Sequence, residues 1–387
     1  MKNKNISVIG LGFVGFPTAC ILANCKNKNK KNLFKVSAID KDINEIKKKC
    51  IDYINKKTTL SNDKKLNKLI EISLNKNLLN FTDSFECLTN SSVIIVSVGF
   101  DFSKKTEKQQ FKNLNILFEK ICEKISKKTL LIVETTLPPG TCDKAIIPLM
   151  KKKLKKRNIN FDKDIYFGFS FERIMPGKYY LDSVINNFRC YSGTNNASKL
   201  QIKKFLKKFI NYKKYPLDEL DSIKDCESAK ILENSYRAIN IAFIDEWTKY
   251  SINEDINLNR IIDAIKKRST HSNIMRPGLG VGGYCLTKDP SFMNTSGRHF
   301  NTKKINFPII NQSLKINNDM PKTSILLLKK KIKDLKKKKF LIMGLAYKKD
   351  VADKRFSPTK KILEYLKNNK IKFLNHDPFY DGKINFS

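Results

Sequence analysis

The sequence predicts an α/β fold: a doubly wound parallel sheet, a helical region, then a second and shorter α/β unit. Three observations carry that reading. An apolar strand pattern near the N-terminus passes through a glycine turn directly into an apolar helical pattern. Strand-like runs then recur, each separated by a helical pattern, which is the alternation that builds parallel sheets. A long helical stretch starting near Asp218 breaks the rhythm, and strand–helix–strand resumes in the last segment. At 387 residues the chain is long for one core, so two or three domains are expected. The expected boundaries are 1–205, 206–320 and 321–387.

In chain order, ISVIGLGFVGFPTACILA comes first, with Gly10, Gly12 and Gly15 in GxGxxG spacing between strand and helix. That context marks a Rossmann-like dinucleotide site. Gly10 permits the tight turn and Gly12 the approach of a pyrophosphate, while Gly15 allows close helix–strand packing and the helix N-terminus faces the phosphates. Phe13 and Val14 complete the turn. After a surface loop, CKNKNKKNLF, the strand FKVSAID ends in Asp40. A carboxylate there suits ribose hydroxyls and repels a 2′-phosphate, so NAD is expected over NADP.

The runs SSVIIVSVG, TLLIVETT and DIYFGFS read as further strands. Ligands of such sheets bind beyond the carboxyl ends of the strands. Two ends are rich in chemistry: ETTLPPGT (Glu134–Thr141, with Thr136) and SFERIMPG (Ser170–Gly177, with Glu172 and Arg173). From Asp218 to about Asn253 a long helix is predicted, with Glu227, Lys230, Asn234, Arg237 and Asn240 set among Ala229, Ile231, Leu232, Ala238, Ile241 and Ala242. Polar groups embedded at helical spacing suit a helix that faces an active site. Helical segments continue to Arg268, and Pro321 marks a boundary into a last helix. KKFLIMGLAYKKD then reads as a strand ending in a basic loop. SPTKKILEYLKNN reads as a helix opened by Ser357-Pro358, and KIKFLNHDP as a strand. One such unit is too small to bury both faces of a sheet.

The stretch that organises the rest is RPGLGVGGYCLTKDP, Arg276–Pro290, in which Gly278, Gly280, Gly282 and Gly283 precede a single thiol, Cys285. Lys288, Asp289 and, farther on, Gly297 follow it. Glycine lets backbone approach a ligand closely. A cysteine on such a loop near a cation is where a lowered thiol pKa and a nucleophilic thiolate are expected.

Composition excludes several classes. The hydrophobic content of 41% is that of a globular protein, and no run approaches a membrane-spanning length. MKNKNISVIGLG shows no export signal, so a cytoplasmic protein is expected. Nine cysteines without CxxC spacing argue for reduced thiols and against a disulfide scaffold or a zinc site. Three scattered histidines support no metal centre. The net charge of +39 comes from lysines spread along the whole chain. The densest runs, Lys151–Arg157 and Lys329–Lys339, lie on helical patterns without the interleaved aromatics of a nucleic-acid platform. No nucleic-acid partner is expected.

With these motifs in order, the chain resembles the UDP-glucose/GDP-mannose dehydrogenase family of nucleotide-sugar 6-dehydrogenases over nearly its whole length. The carriers are Gly10–Gly15, ETTLPPGT, FERIMPG, Glu227–Asn240, GVGGYCLTKDP and GLAYKKDVADKR (Gly344–Arg355). The resemblance implies an NAD-binding domain, a central helical dimerisation domain and a shortened UDP-sugar-binding domain, acting as a homodimer. It implies oxidation of a sugar C6 alcohol to the acid in two hydride transfers, for polysaccharide or cell-envelope synthesis. Cys285 would carry the thiohemiacetal and thioester. Lys230 and Asn234 would stabilise charge on the reacting oxygen. Asp289 would serve proton transfer and water positioning, and Glu172 thioester hydrolysis. Thr136 and Lys288 would meet the cofactor, and Arg173, Arg276, Gly282 and Lys348 the substrate. ERIMPG is closer to the UDP-N-acetylhexosamine branch than to the UDP-glucose enzymes.

The chain also departs from the pattern. Tyr284 stands where His or Ser commonly precedes the thiol, SFER replaces SPER, and Asp353-Lys354-Arg355-Phe356-Ser357 lacks a carboxylate. The C-terminal domain stops short of the usual length. Three other readings stay open. A truncated paralogue would bind NAD or nucleotide sugar without turnover, a two-electron hydroxyacid dehydrogenase would leave Cys285 without a role, and a nucleic-acid binder rests on charge alone.

Overall fold

The computed structural model describes residues 4–27, 29–54, 63–100, 106–300 and 305–380. The chain divides into two compact units, Met1–Lys230 and Ile231–Ser387.

The first unit is built on eight strands: β1 (Lys4–Ile9), β2 (Phe34–Ile39), β3 (Leu79–Thr82), β4 (Val93–Val96), β5 (Leu130–Val133), β6 (Tyr166–Phe169), β7 (Arg189–Gly193) and β8 (Leu217–Glu219). Their order across the sheet is β3-β2-β1-β4-β5-β6-β7-β8. Neighbours from β3 to β6 are parallel. The central strands VIIV (β4) and LLIV (β5) are buried at every residue, as a sheet covered on both faces requires. The helix Gly15–Asn24 packs its Ala19, Cys20, Leu22 and Ala23 into the same core as Ile6, Val8, Val36 and Ala38.

The sheet departs from a purely parallel one at its far side. β7 runs antiparallel to β6, with Gly168 opposite Gly193, and β8 is parallel to β7. Reversal matters chemically, because it puts the start of β7 beside the carboxyl end of its neighbours. Arg189, the first residue of β7, thereby reaches Glu134 just past β5.

Two sequence expectations are corrected here. The long helix begins at Ile223, not near Asp218, and spans Ile223–Asn253. Leu217–Glu219 pairs with β7 instead. Ser222 and Asp225 then form a reciprocal cap that sets the start, Ser222 N–H donating to Oδ2 of Asp225 at 2.9 Å and Asp225 N–H to Oγ of Ser222 at 3.1 Å. Pro321 lies inside the helix Pro308–Lys331 and does not begin one. Proline deletes one backbone hydrogen bond, but Asn317, Met320, Pro321 and Thr323 are buried on this helix, and that packing outweighs the loss.

In the second unit Ile244, Leu258 and Ile262 form one small core. The last segment is a strand–helix–strand: β9 (Lys339–Met343), the helix Pro358–Asn368 capped by Ser357, and β10 (Lys372–His376), paired in parallel. Leu366, Ile371 and Phe373 make its core, while Leu341 and Met343 of β9 are exposed, as expected of a two-stranded sheet with one covered face. No helix among the described residues is long and apolar enough to cross a membrane.

Candidate active site

The glycine turn after β1 lies where the strand order reverses, between β1 and β4, the ligand position of doubly wound sheets. Gly10 adopts φ +92°, and a Cβ there would lie 2.7 Å from the Ser97 carbonyl oxygen just past β4. A Cβ on Gly15 would sit 1.8 Å from the Gly10 carbonyl oxygen, so no other residue fits. A Cβ on Gly12 would meet nothing within 4 Å, which leaves the turn open on that side. Asp40 ends β2 with Oδ2 accepting the Leu11 N–H at 2.7 Å. The helix that follows has no capping side chain and no acidic residue in its first turn. The positive end of its dipole, with no carboxylate to offset it, favours an anion. Phe13 is half-buried and its carbonyl accepts from the Tyr180 hydroxyl, while Val14 stands at the helix N-cap. A dinucleotide fits these residues.

Two carboxylates meet beyond β5 and β6. Glu134 is buried against the equally buried Arg189, Nη1 to Oε1 2.6 Å, and its Oε2 has no hydrogen-bond partner. Burial pushes its pKa up, Arg189 pulls it down, and the charge of Glu172 raises it again. Glu172 is buried, and its Oε2 accepts the N–H of Ile174, which aims the carboxylate. Lys230 is buried too. Its Nζ donates to the Glu172 carbonyl at 2.7 Å and stands 3.8 Å from Oε1. Thr136, in the loop after β5, is half-buried. Arg173 donates to the Phe188 carbonyl at 2.7 Å and lies over the Phe171 ring.

Glu227 is a buried carboxylate whose partners the sequence hides. It is fully buried one turn before Lys230, and its oxygens accept the N–H groups of Gly140 (2.5 Å) and Cys142 (2.9 Å). The ETTLPPGT loop is thereby tied to the helix that carries Lys230. Burial pushes the Glu227 carboxyl up to about 7, against the lowering by those hydrogen bonds.

In the second unit the Cys285 thiol is exposed, while its carbonyl accepts the N–H groups of Lys288 (3.2 Å) and Asp289 (2.9 Å). Asp289 is fully buried; Oδ2 accepts from the Asn234 amide at 2.8 Å and Oδ1 pairs with Lys288 Nζ at 2.7 Å. Lys288 is itself buried, its ammonium 4.3 Å from the Tyr284 ring centroid and 4.5 Å from that of Phe292. Expected at the cofactor, it is engaged here with Asp289. Gly282 is crowded: a Cβ there would meet Tyr347 at 2.5 Å and the Phe356 carbonyl at 2.9 Å. Arg276 pairs with Asp263. Partial burial, and then the like charge of Arg237, hold the Lys348 ammonium below its ordinary pKa. The described residues contain no group that could hold a metal ion.

Comparisons with known proteins agree along the chain. Residues 4–210 match the NAD binding domain of the UDP-glucose/GDP-mannose dehydrogenase family, 224–319 its central domain and 341–385 its UDP binding domain. A UDP-N-acetyl-D-mannosamine dehydrogenase of Methanocaldococcus jannaschii is 33% identical over 373 residues, 94% of this chain and 76% of that one. The solved structure of the UDP-D-ManNAc dehydrogenase of Pyrococcus horikoshii superposes with a TM-score of 0.80 at 26% identity, covering 98% of this chain and 85% of that one. That of the Staphylococcus aureus UDP-N-acetyl-mannosamine dehydrogenase gives 0.77 at 28% identity, with 99% and 84% covered.

Proposed function

The chain belongs to the UDP-glucose/GDP-mannose dehydrogenase family, and from that premise we propose that it oxidises the C6 alcohol of a UDP-sugar to the carboxylic acid. The proposed sugar is N-acetyl-D-mannosamine, the substrate named for its relatives. The observation that carries the chemistry is an exposed cysteine, Cys285, on a loop whose buried Asp289 bonds both the buried Lys288 and Asn234. A thiol is what distinguishes acid formation from simple alcohol oxidation, because it holds the carbonyl carbon between two oxidation steps.

NAD, when bound, supplies the hydride acceptor. Cys285 Sγ adds to the C6 aldehyde, forming a C–S bond, and oxidation of that adduct leaves a thioester on the same sulfur. Lys230 and Asn234, four residues apart on one helix, donate to the reacting oxygen as negative charge develops. Asp289 fixes the Asn234 amide by taking one of its N–H groups, which leaves the second to donate. Glu172 takes a proton from the water that attacks the thioester carbonyl; the C–S bond breaks and Cys285 leaves as thiolate. In sum two hydrides and three protons leave and one water enters, which turns CH2OH into a carboxylate. Asp40 selects the ribose hydroxyls and the Thr136 hydroxyl meets cofactor and water. The paired charges of Arg237 and Lys348 suit an anionic diphosphate.

The proposed assembly is a homodimer. The helix Ile223–Asn253 buries Glu227, Lys230 and Asn234 while exposing Leu232, Tyr236, Phe243, Trp247 and Tyr250 at helical spacing. Such a stripe is shielded in a working protein.

The test is NADH formation with purified protein, NAD and a panel of UDP-glucose, UDP-N-acetylglucosamine, UDP-N-acetylmannosamine, UDP-N-acetylgalactosamine and GDP-mannose. Two NADH per UDP-N-acetylmannosamine are expected. Silence across the panel with NAD still bound would sink the reading.

A further inference from the structure

Tyr284, the residue before the thiol, is not used by the chemistry above, yet its ring meets the cations of two ion pairs. Lys288, paired with Asp289 at 2.7 Å, holds its ammonium 4.3 Å from the ring centroid. Arg355 holds its guanidinium 5.0 Å from the same centroid. Arg355 is in turn fixed by the buried carboxylate of Asp353, Nε to Oδ1 2.9 Å and Nη2 to Oδ2 2.8 Å. The result is a series of linked groups: Asp289, Lys288, the Tyr284 ring, Arg355, Asp353. An aromatic face attracts cations, and the pull is larger where water is excluded, as at buried Lys288. The backbone follows the same path, because Gly283 N–H donates to the Arg355 carbonyl at 3.0 Å. A Cβ on Gly283 would lie 2.6 Å from the Tyr347 ring, so the loop is seated on the segment 347–356 without space to shift.

We propose that Tyr284 is a positioning residue whose ring, held by the Lys288–Asp289 and Arg355–Asp353 pairs, sets the attitude of the Cys285 backbone. The segment 347–356 thereby becomes part of the apparatus that aims the thiol. The ring does this and the hydroxyl does not, since both cations address the π face. The inference deepens the dehydrogenase reading and rests on it for its kinetic arm only.

The experiment compares full-length wild type with Tyr284→Phe and Tyr284→Leu, with Tyr284→Met as a second ring-less variant should the leucine protein not fold. Two readouts are taken: kcat and KM for NADH formation, and the rate at which iodoacetamide alkylates Cys285, followed on the Cys285 peptide by mass spectrometry. Tyr284→Phe keeps the π face, so kcat and the alkylation rate stay within about twofold of wild type. Tyr284→Leu loses both cation contacts, so kcat falls by about tenfold, the equivalent of about 1.4 kcal/mol. KM for NAD stays unchanged and the Cys285 alkylation rate departs from wild type. A folded Tyr284→Leu or Tyr284→Met protein with wild-type kcat and alkylation rate would overturn the proposal. So would a Tyr284→Phe protein as impaired as Tyr284→Leu, because the hydroxyl would then be the active group. If wild type forms no NADH with any nucleotide sugar, the dehydrogenase reading fails, and the alkylation arm still decides the role of Tyr284.

Discussion

Replacing Glu227 by glutamine should change how stability depends on pH, and the sign can be worked from the structure. The carboxyl is buried and titrates at about 7 in the folded protein, against 4.5 for an ordinary glutamate. Below 4.5 both folded and unfolded chains hold the proton and its full stabilisation is present. As pH rises from 4.5 to 7 the unfolded chain releases the proton first, so stability falls; above 7 both are ionised and the loss is complete. Each tenfold difference in proton affinity is worth about 1.4 kcal/mol, so the wild type loses about 3 kcal/mol across this window. Glu227→Gln cannot lose it. The glutamine carries a fixed cost of its own, since one of the Gly140 and Cys142 N–H groups will face an amide NH2 instead of an oxygen, at about 1–3 kcal/mol. That cost is independent of pH, and every other titrating group cancels in the difference. Urea unfolding of both proteins at about pH 5 and about pH 8 reads the effect as a difference of differences. The variant should gain on the wild type by about 2–3 kcal/mol between the two. A gap that does not move with pH refutes the reasoning.

Three further outcomes are expected. Cys285→Ala should abolish acid formation while NAD binding, read by fluorescence titration, stays intact; unchanged turnover would remove Cys285 from the mechanism. Asp40→Ala should lower the NAD-over-NADP preference in kcat/KM by about tenfold, the value of one good hydrogen bond to a charged group; an unaltered ratio would take Asp40 out of the ribose site. Arg189→Met strands a buried carboxylate and should cost about 3–5 kcal/mol, with much of it regained in the Glu134→Gln/Arg189→Met double variant; urea midpoints of the two proteins decide it.

What could be read from the sequence was local. The glycine turn, the carboxylate closing β2, the buried runs of β4 and β5 and the Ser357 cap each follow from short-range rules, and each stands where the strings place it. The chemistry-bearing strand ends were legible for the same reason, since a parallel sheet gathers the ends of its strands. What stayed hidden depends on distance along the chain. Arg189 meets Glu134 only because β7 runs backwards, and nothing in RCYSG announces that direction. Glu227 finds its partners about 85 residues away, at N–H groups that have no sequence signature. Gly280, Gly282 and Gly283 read as places where backbone nears a ligand; in the fold they also make room for Tyr347, Phe356 and Pro358. Pro321 misled because a local rule met a stronger burial term.

One consequence concerns the thiols. Burial drives Cys25 up to about 11 and Cys122 up to about 12, and it raises Cys142 and Cys226 as well. The nucleophile of a cysteine is its thiolate, so at neutral pH these sulfurs are chemically silent. Among the described cysteines Cys285 is the exposed one. On the proposed mechanism, a soft electrophile that reaches Cys285 ends turnover while these four thiols stay untouched.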